Sequence, residues 1–241
     1  MVAKPFLTIA IPTMNRWIFL KDTLPIYLAR PEVREVIVCD ETGEDVKAIT
    51  ASSFGKNPKL RLITNEKRLG IYQNKRKAIS LAAEGSWVAL LDSDNIFNDD
   101  WFEMIAELDY STITQIYATA DFKELNIQTG QVRYPAERFS GRTVTKSSWN
   151  SLIMEPSANF IINDGNWILH STAIKHLPED VKSSDLQASD AIFMLRRLIL
   201  NGYSITYVRD VEYIHTVHPG SSWLQTEEES MKIMNRTNWF V

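Results

Sequence analysis

Two carboxylates separated by one residue give the clearest chemical signal in this sequence. Asp92 and Asp94 directly follow the apolar run at residues 87–91 and stand in an Asp-Ser-Asp-Asn segment. Carboxylates at this spacing can share one hard cation, Mn²⁺ or Mg²⁺, which commonly bridges protein carboxylates to phosphate oxygens. Such a cation would neutralise the charge that grows on a departing diphosphate. The alternative is a polar turn that caps a helix predicted near residues 99–108.

The elements that must position these carboxylates are predicted from the first half of the chain. Four short apolar runs with several β-branched residues indicate strands, and apolar residues at helical spacing separate them. The predicted strands are 7–11, 35–39, 60–63 and 87–91, and the predicted helices are 17–28, 45–51 and 71–83. Pro25 should kink or split the first helix. This alternation predicts an α/β fold with a mostly parallel, doubly wound sheet.

Polar residues follow three of these strands where the strands end. Pro12 and Thr13 follow the first strand, Asp40 and Glu41 end the second, and the Asp-Ser-Asp-Asn segment follows the fourth. Ligands of such sheets bind beyond the carboxyl ends of the strands. We therefore expect these side chains to meet at one edge of the sheet and form a site there.

The second half of the chain has a different pattern. Short strands are predicted at 112–118, 132–134, 204–208 and 211–215, and two short apolar pieces lie at 159–163 and 167–170. An amphipathic helix is predicted at 185–200 and a helical tail from about 225. Because no linker or low-complexity segment interrupts the sequence, a single domain over residues 1–241 is predicted. Residues 1–95 would form a donor half, which binds the substrate that gives up a group, and residues 96–241 an acceptor half, which binds the substrate that receives it.

Composition excludes several classes of protein. The chain has 241 residues, a formal net charge of −4 and 23% charged residues, and it lacks the clustered basic surface typical of nucleic-acid binding. The single cysteine, Cys39, cannot form an internal disulfide. There is no signal-peptide pattern and no apolar stretch of the ~20 residues that a transmembrane helix needs. A cytoplasmic protein without a membrane anchor is expected, and a homo-oligomer stays possible.

One long segment resembles the central signature of the family 2 glycosyltransferases. Residues 65–95, NEKRLGIYQNKRKAISLAAEGSWVALLDSDN, contain an Asn, a Gly, a basic cluster, an Ala-rich helix, an apolar strand and Asp-x-Asp in the family's order. The opening LTIAIPTMNR is similar to the family's first strand and loop. The resemblance resumes at Ser189-Asp190 and continues through Gly202-Tyr203 to Tyr213-Ile-His215. It covers almost the whole chain.

The resemblance implies a GT-A fold and metal-dependent, inverting transfer of a sugar from a nucleotide diphosphate sugar to a hydroxyl acceptor, with uridine as the expected base. It assigns the donor site to Pro12, Thr13, Asn15, Arg16, Asp40, Arg68, Gly70, Lys75, Asp92 and Ser93. Asp40 would accept a hydrogen bond from the base, and Arg68 and Lys75 would face the diphosphate. Because Asn74-Lys75-Arg76 departs from the family's Ala-Arg-Asn, the choice between Lys75 and Arg76 stays open. The alternative for these cations is a solvated helix face.

Asp190 is the predicted general base. The family opens an acceptor-side helix with an acidic pair, and here Ser189 replaces its first member while Asp190 keeps the spacing to Phe193, Arg196 and Gly202. The helix macrodipole favours the charged form of a carboxylate at a helix N-terminus, which suits a base that deprotonates a hydroxyl. The alternative is a simple cap, with the helix beginning at Ser184 or Asp185.

The resemblance also places a metal-binding histidine at the end of a strand near the C-terminus. His215 is favoured over His218, and Asp92, Asp94 and His215 form the predicted ligand set for Mn²⁺ or Mg²⁺. The Pro219–Trp223 stretch is predicted as a loop that could close over the donor, with a plain turn as the alternative. Trp149, Trp167 and Trp223 could line a sugar site, although tryptophan more often belongs to the core.

Two other functions share parts of this pattern. A sugar nucleotidyltransferase would have a similar sheet and acidic metal ligands, but the loop after the first strand lacks the Gly residues that usually cradle a triphosphate. A catalytically degenerate protein that binds a nucleotide sugar also stays open, because of the departures at Ser189 and at Asn74-Lys75-Arg76. Turnover by an Asp190→Asn variant would distinguish these alternatives.

Overall fold

The structure is a computed structural model that describes residues 6–120, 122–134, 139–153, 155, 158, 166–209 and 212–236. Residues 234–236 are described by their backbone alone. The apolar piece at 159–163 lies outside these residues, as does the first residue of the strand predicted at 211–215.

The described residues form strands and seven α-helices in an order that begins with strict alternation. The strands are β1 (Leu7–Thr13), β2 (Val33–Asp40), β3 (Leu60–Thr64), β4 (Trp87–Leu90), β5 (Ile96–Phe97), β6 (Gln115–Thr119), β7 (Lys123–Asn126), β8 (Val132–Arg133), β9 (Thr143–Val144), β10 (Trp167–His170), β11 (Ser204–Val208) and β12 (Tyr213–Val217). The helices are α1 (Trp17–Ala29), α2 (Glu44–Ala51), α3 (Ile71–Ser80), α4 (Asp99–Ala106), α5 (Lys146–Ile153), α6 (Asp190–Leu200) and α7 (Ser222–Arg236).

The larger sheet confirms the predicted α/β class. Its strand order is β3-β2-β1-β4-β10-β6-β11-β9, and the four strands of the first half are parallel to one another. Every residue of β1 and β4 is buried, as expected for strands covered by helices on both faces. The second half adds antiparallel pairs, because β10 runs opposite to both β4 and β6.

A smaller sheet fixes the segment that carries the two predicted metal-binding carboxylates. Its strand order is β5-β12-β7-β8, and β5 begins directly after Asn95. Residues 91–95 therefore connect β4 of the larger sheet to β5 of the smaller one. Because both ends of this five-residue segment are held in sheets, its side chains have little freedom to leave the sheet edge.

Two helices differ from the sequence prediction. Pro25 does not split α1, which runs as one helix with Pro25 on its exposed side. The helix predicted to begin at residue 185 begins instead at Asp190, after two short 3₁₀ turns at Ser183–Asp185 and Gln187–Ser189. Asp190 is consequently the first residue of α6. None of the helices in the described part of the chain is long and apolar enough to cross a membrane.

Candidate active site

A cleft opens beyond the carboxyl ends of β1, β2 and β4, as the strand topology predicts. Its cavity volume is about 210 Å³. Most of the predicted site residues line it, from both halves of the chain: Pro12, Thr13, Arg16, Arg68, Gly70, Lys75, Asp92, Ser93, Asp94, Asp190 and His215. Asn15 and Asp40 do not belong to its lining.

Lys75 joins the two halves of the chain at the floor of this cleft. Its Nζ lies 3.0 Å from Asp92 Oδ1 and 3.1 Å from Asp190 Oδ2. The side chains of Lys75 and Asp190 are only 7% and 4% exposed, whereas that of Asp92 is 29% exposed. One ammonium group therefore holds a carboxylate of the β4–β5 segment and a carboxylate at the N-terminus of α6.

Burial and charge act against each other in this cluster. Burial disfavours the charged form of Lys75, but the carboxylates of Asp190 and Asp92 outweigh it and raise the pKa of Lys75. Burial raises the pKa of Asp190 above its ordinary value, and the Lys75 ammonium group opposes this shift. Lys75 thus stays protonated at neutral pH, while Asp190 is more basic than an exposed aspartate.

Arg76, the alternative to Lys75, points away from the cleft. Its Nε donates to the carbonyl oxygen of Leu177 over 2.8 Å, and its Nη2 contacts Glu179 over 2.6 Å. Adjacent residues on an α-helix differ in direction by about 100° because there are ~3.6 residues in a turn. The structure therefore brings Lys75 into the cleft and Arg76 to the segment before α6.

Asp94 lies at the centre of a second polar group. Its Oδ2 is 2.9 Å from His218 Nε2 and 3.8 Å from Arg16 Nε. Burial disfavours ionisation of Asp94, but the hydrogen bond from His218 and the charge of Arg16 outweigh it and lower the pKa of Asp94. Asp94 is therefore an ionised carboxylate at neutral pH.

The hydrogen bonds of His218 define its neutral tautomer. The Gly220 backbone N–H donates to His218 Nδ1 over 3.1 Å, so in the neutral ring the proton is on Nε2, facing Asp94. Arg16 Nη2 donates to the carbonyl oxygen of Gly220 over 2.5 Å. The segment that follows β12 is thus held across the cleft by Arg16 and His218, and its residues Ser221, Ser222 and Trp223 line the cleft.

His215 also lines the cleft but occupies a different position. Its ring packs against Phe122, with 5.8 Å between ring centroids, and within the described residues its Nδ1 is buried without a hydrogen-bond partner. His218 is thus the histidine in contact with Asp94. Among the described residues, no three His, Cys, Asp or Glu side chains form a cluster that could hold a metal. Asp94 nevertheless offers carboxylate oxygens beside His218, and His218 Nε2 could add a nitrogen ligand for a divalent cation once its proton has moved.

Asp45 holds the loop between β1 and α1, a role that the sequence analysis missed. Its carboxylate accepts hydrogen bonds from Thr13 Oγ1 over 2.6 Å, from Arg16 N over 2.8 Å and from Trp17 N over 2.8 Å. The residue is 1% exposed and belongs to α2. Asp45 therefore caps α1 from a neighbouring helix and fixes the cleft residues Thr13 and Arg16. Only its acidic side chain in the first turn of a predicted helix could have signalled this role.

Asp40 is fully buried and is engaged by backbone groups rather than directed into the cleft. Its Oδ1 accepts from Thr42 N over 3.0 Å and its Oδ2 from Val46 N over 3.0 Å. A contact with a nucleobase, as predicted for Asp40, would require these bonds to be exchanged. The neighbouring Glu41 does line the cleft, and it accepts a hydrogen bond from Leu69 N over 2.6 Å.

Gly70 permits a close contact between the segment before α3 and the segment before α6. Its φ is +79°, and a Cβ there would lie 2.5 Å from Ser183 Cβ. Ser183 Oγ donates to the carbonyl oxygen of Leu69 and accepts from Gln73 N over 3.2 Å. Ser183 thus satisfies an N-terminal N–H group of α3, and this contact requires glycine at position 70.

Two buried asparagines hold the acidic segment in place. Asn166 Oδ1 accepts from Asp92 N over 3.0 Å, and its Nδ2 donates to Tyr213 OH over 3.1 Å. Asn95 Oδ1 accepts from Thr216 N over 2.9 Å. Both contacts link the segment to β12. Of the three tryptophans considered above, Trp223 lines the cleft, whereas Trp149 and Trp167 are core residues.

Comparison with known proteins adds sequence and fold relationships to this geometry. The glycosyl transferase family 2 model matches residues 8–166, and no curated protein sequence matches the chain. The crystal structure of S. aureus TarS 1-349 superposes with a TM-score of 0.64 at 19% identity, over 95% of this chain and 63% of that one. Its complexes with UDP-GlcNAc and UDP give TM-scores of 0.65 and 0.64 at 18% and 20% identity, each over 95% of this chain and 64% of that one. At this identity the likeness shows the fold, and this chain spans less than two thirds of the TarS chain.

Proposed function

Because the chain belongs to glycosyl transferase family 2, we propose that it transfers a sugar from a nucleotide diphosphate sugar to a hydroxyl acceptor. The observation that carries this proposal is the position of Asp190. It is the first residue of α6, it lines the cleft, and it is joined through Lys75 to Asp92 on the donor side. A carboxylate made more basic by burial suits removal of a proton from an acceptor hydroxyl.

Transfer would proceed as a single displacement with inversion at the sugar carbon. The Asp190 carboxylate accepts the proton of the acceptor hydroxyl as that oxygen forms a bond to the anomeric carbon. The bond between this carbon and the diphosphate oxygen breaks, and the electron pair leaves with the nucleoside diphosphate. No covalent intermediate with the protein is required.

We propose that Asp94 and His218 hold the divalent cation, with Asp92 as a further ligand. The direct contact between Asp94 and His218 supports this pair over the pair of Asp94 and His215. When bound, Mn²⁺ or Mg²⁺ supplies positive charge to the leaving diphosphate. For His218 Nε2 to bind a cation, its proton must move, and the hydrogen bond from Gly220 N to Nδ1 must then break or rearrange.

Positive side chains support a diphosphate position beside the cation. Arg68 and Lys75 both line the cleft, and Arg68 is exposed at its mouth. The TarS structures in complex with UDP-GlcNAc and with UDP support uridine as the base to be tested first. Thr13 and Glu41 line the part of the cleft at the ends of β1 and β2, and we propose that they face the nucleoside.

Calorimetry with uridine diphosphate tests the donor site. We expect binding by the wild type in the presence of Mn²⁺, a loss of affinity of about tenfold or more when the metal is chelated, and a similar loss in Asp94→Ala. His218→Ala should weaken the metal-dependent binding, whereas His215→Ala should change it less. Absence of binding with uridine, guanosine and thymidine diphosphates, with and without metal, would refute the proposed function.

A further inference from the structure

In the described lining of the cleft, Lys75 has the only buried ammonium group. It makes more contacts with protein carboxylates than diphosphate binding alone would require. A lysine that only met the donor phosphates would need one donor directed into the cleft. Here two carboxylates from different parts of the fold lie 3.0 and 3.1 Å from Nζ. An ammonium group has three donors, so one remains for the cleft that Lys75 lines.

We propose that Lys75 is a positioning residue that holds the Asp190 carboxylate in place for proton transfer and ties it to Asp92 on the donor side. This inference rests on the proposed function, because it takes Asp190 as the base. The ion pairs bridge elements that are far apart in the sequence: α3 carries Lys75, the β4–β5 segment carries Asp92, and α6 carries Asp190.

The burial of the pair makes this role specific. Asp190 has 4% of its side chain exposed, so little water reaches it and water is a poor replacement for the Lys75 ammonium group. Removal of one member of a buried ion pair leaves an uncompensated charge, which is strongly unfavourable. Without the ammonium group, Asp190 would take up a proton or turn away from its present position, and either change removes a base that accepts a proton.

The neighbouring basic residues cannot substitute for Lys75. Arg76 is committed to Leu177 and Glu179 on the other side of α3. Lys77 Nζ donates to Asn65 Oδ1 over 2.7 Å. The compact ammonium group also differs from a guanidinium, whose donors lie in one plane. An arginine at position 75 would keep the charge but would not reproduce both contacts.

A double-mutant cycle on UDP release from UDP-GlcNAc, with Mn²⁺ present, tests the proposal. Lys75→Met is expected to lower kcat about 100-fold in the wild-type background. In an Asp190→Asn background the same substitution should lower kcat less than about threefold, because residues that act as a unit are not additive. Lys75→Arg should recover part of kcat. Lys47→Met, which changes an exposed lysine of α2, serves as the matched control and should have no effect.

The alternative outcomes separate the two proposals. If Lys75→Met weakens UDP affinity, measured by calorimetry, by the same factor as kcat/KM and leaves kcat unchanged, Lys75 only binds the diphosphate and the positioning role is wrong. Equal loss of kcat in both backgrounds also overturns it. If Lys75→Met does not fold, as judged by thermal unfolding, the same cycle with Lys75→Arg decides. Wild-type protein that releases no nucleoside diphosphate from uridine, guanosine or thymidine diphosphate sugars would refute the proposed function itself.

Discussion

At the scale of single residues, the site depends on which side chains share a charge. Lys75 carries one positive charge between two carboxylates, and Asp94 is held between Arg16 and His218. The pKa values of Asp190 and Asp94 shift in opposite directions. Burial raises the pKa of Asp190, whereas hydrogen bonding and charge lower the pKa of Asp94 against the opposing effect of burial. Two carboxylates in one cleft are thus suited to different tasks, one to accept a proton and one to remain charged.

The basicity of Asp190 predicts a pH dependence of turnover. A general base works in its ionised form, so the rate falls as the pH falls through its pKa. Because this pKa is raised, the decline should begin at a higher pH than for an exposed aspartate of pKa about 3.9. The measurement is kcat/KM for UDP release across pH, with Asp190→Asn as the comparison. A flat profile down to pH about 4 would contradict the assignment of Asp190.

Substitution of Asp190 itself separates catalysis from binding. Asp190→Asn keeps the shape of the side chain but cannot accept the proton, so we expect kcat to fall by about 10²- to 10⁴-fold. UDP affinity, measured by calorimetry, should change little, because the proposed role of Asp190 is to contact the acceptor hydroxyl and not the diphosphate. Unchanged turnover in this variant would exclude Asp190 as the base.

At the scale of elements, the cleft depends on contacts that cap helices from outside. Asp45 of α2 caps α1, and Ser183 satisfies an N-terminal N–H group of α3. Both contacts also fix residues that line the cleft, Thr13 and Arg16 in one case and Gly70 in the other. Helix capping and site geometry are therefore coupled in this fold.

Loss of the Asp45 carboxylate should weaken both stability and donor binding. Asp45→Ala leaves Thr13 Oγ1 and two backbone N–H groups without their acceptor, which should cost about 2 kcal/mol of unfolding free energy. The melting temperature should fall by roughly 4–8 °C for a chain of this size. Asp45→Asn keeps one acceptor oxygen and should lose less of both stability and UDP affinity. Equal loss in the two variants would argue against the capping role.

The contact at Gly70 predicts a second effect on stability. Gly70→Ala adds a Cβ at 2.5 Å from Ser183 Cβ, whereas Gly85→Ala, at φ +76°, meets nothing within 4 Å. Gly70 also has a ψ of 172°, in a backbone region that essentially only glycine adopts, so backbone strain and the clash both act at this position. Chemical denaturation should show Gly70→Ala to be less stable than Gly85→Ala by roughly 1–3 kcal/mol. Similar stabilities would mean that the segment around Ser183 moves freely.

At the scale of the whole molecule, the two halves of the chain share one sheet. β10 of the second half pairs with β4 of the first, with Ile168 opposite Ala89, and the Lys75–Asp190 ion pair crosses the same boundary. The boundary predicted at residue 95 therefore does not separate two independent sheets. The cleft lies between residues that only the complete sheet brings together.

This shared sheet predicts that the donor half is not stable alone. In a fragment of residues 1–95, β4 would lose its partner β10 and become an exposed apolar edge strand. Exposed edges of this kind favour aggregation. We expect this fragment to be unfolded or aggregated by circular dichroism and size-exclusion chromatography. The 241-residue chain should instead unfold in one transition, seen equally by far-UV circular dichroism and tryptophan fluorescence. A soluble, folded fragment would refute this view of the domain.

Most of the first half could be predicted from the sequence. Local apolar patterns predict the strands β1 to β4. The topology of a parallel sheet predicts that Pro12, Thr13, Asp92 and Asp94 meet at one edge. The second half was less predictable because its strands are short and pair in mixed directions. The exact beginning of α6 depended on 3₁₀ turns that no periodic pattern indicates.

The sequence by itself determined the family resemblance, the α/β class and the residue types available at the sheet edge, because these depend on order and spacing along the chain. Only the tertiary structure decided that Lys75 rather than Arg76 enters the cleft, that His218 meets Asp94, and that Asp45 caps α1. Each of these outcomes depends on the rotation of a helix or on a contact between residues that are distant in the chain. Such contacts arise from packing of the complete fold, and no local pattern encodes them.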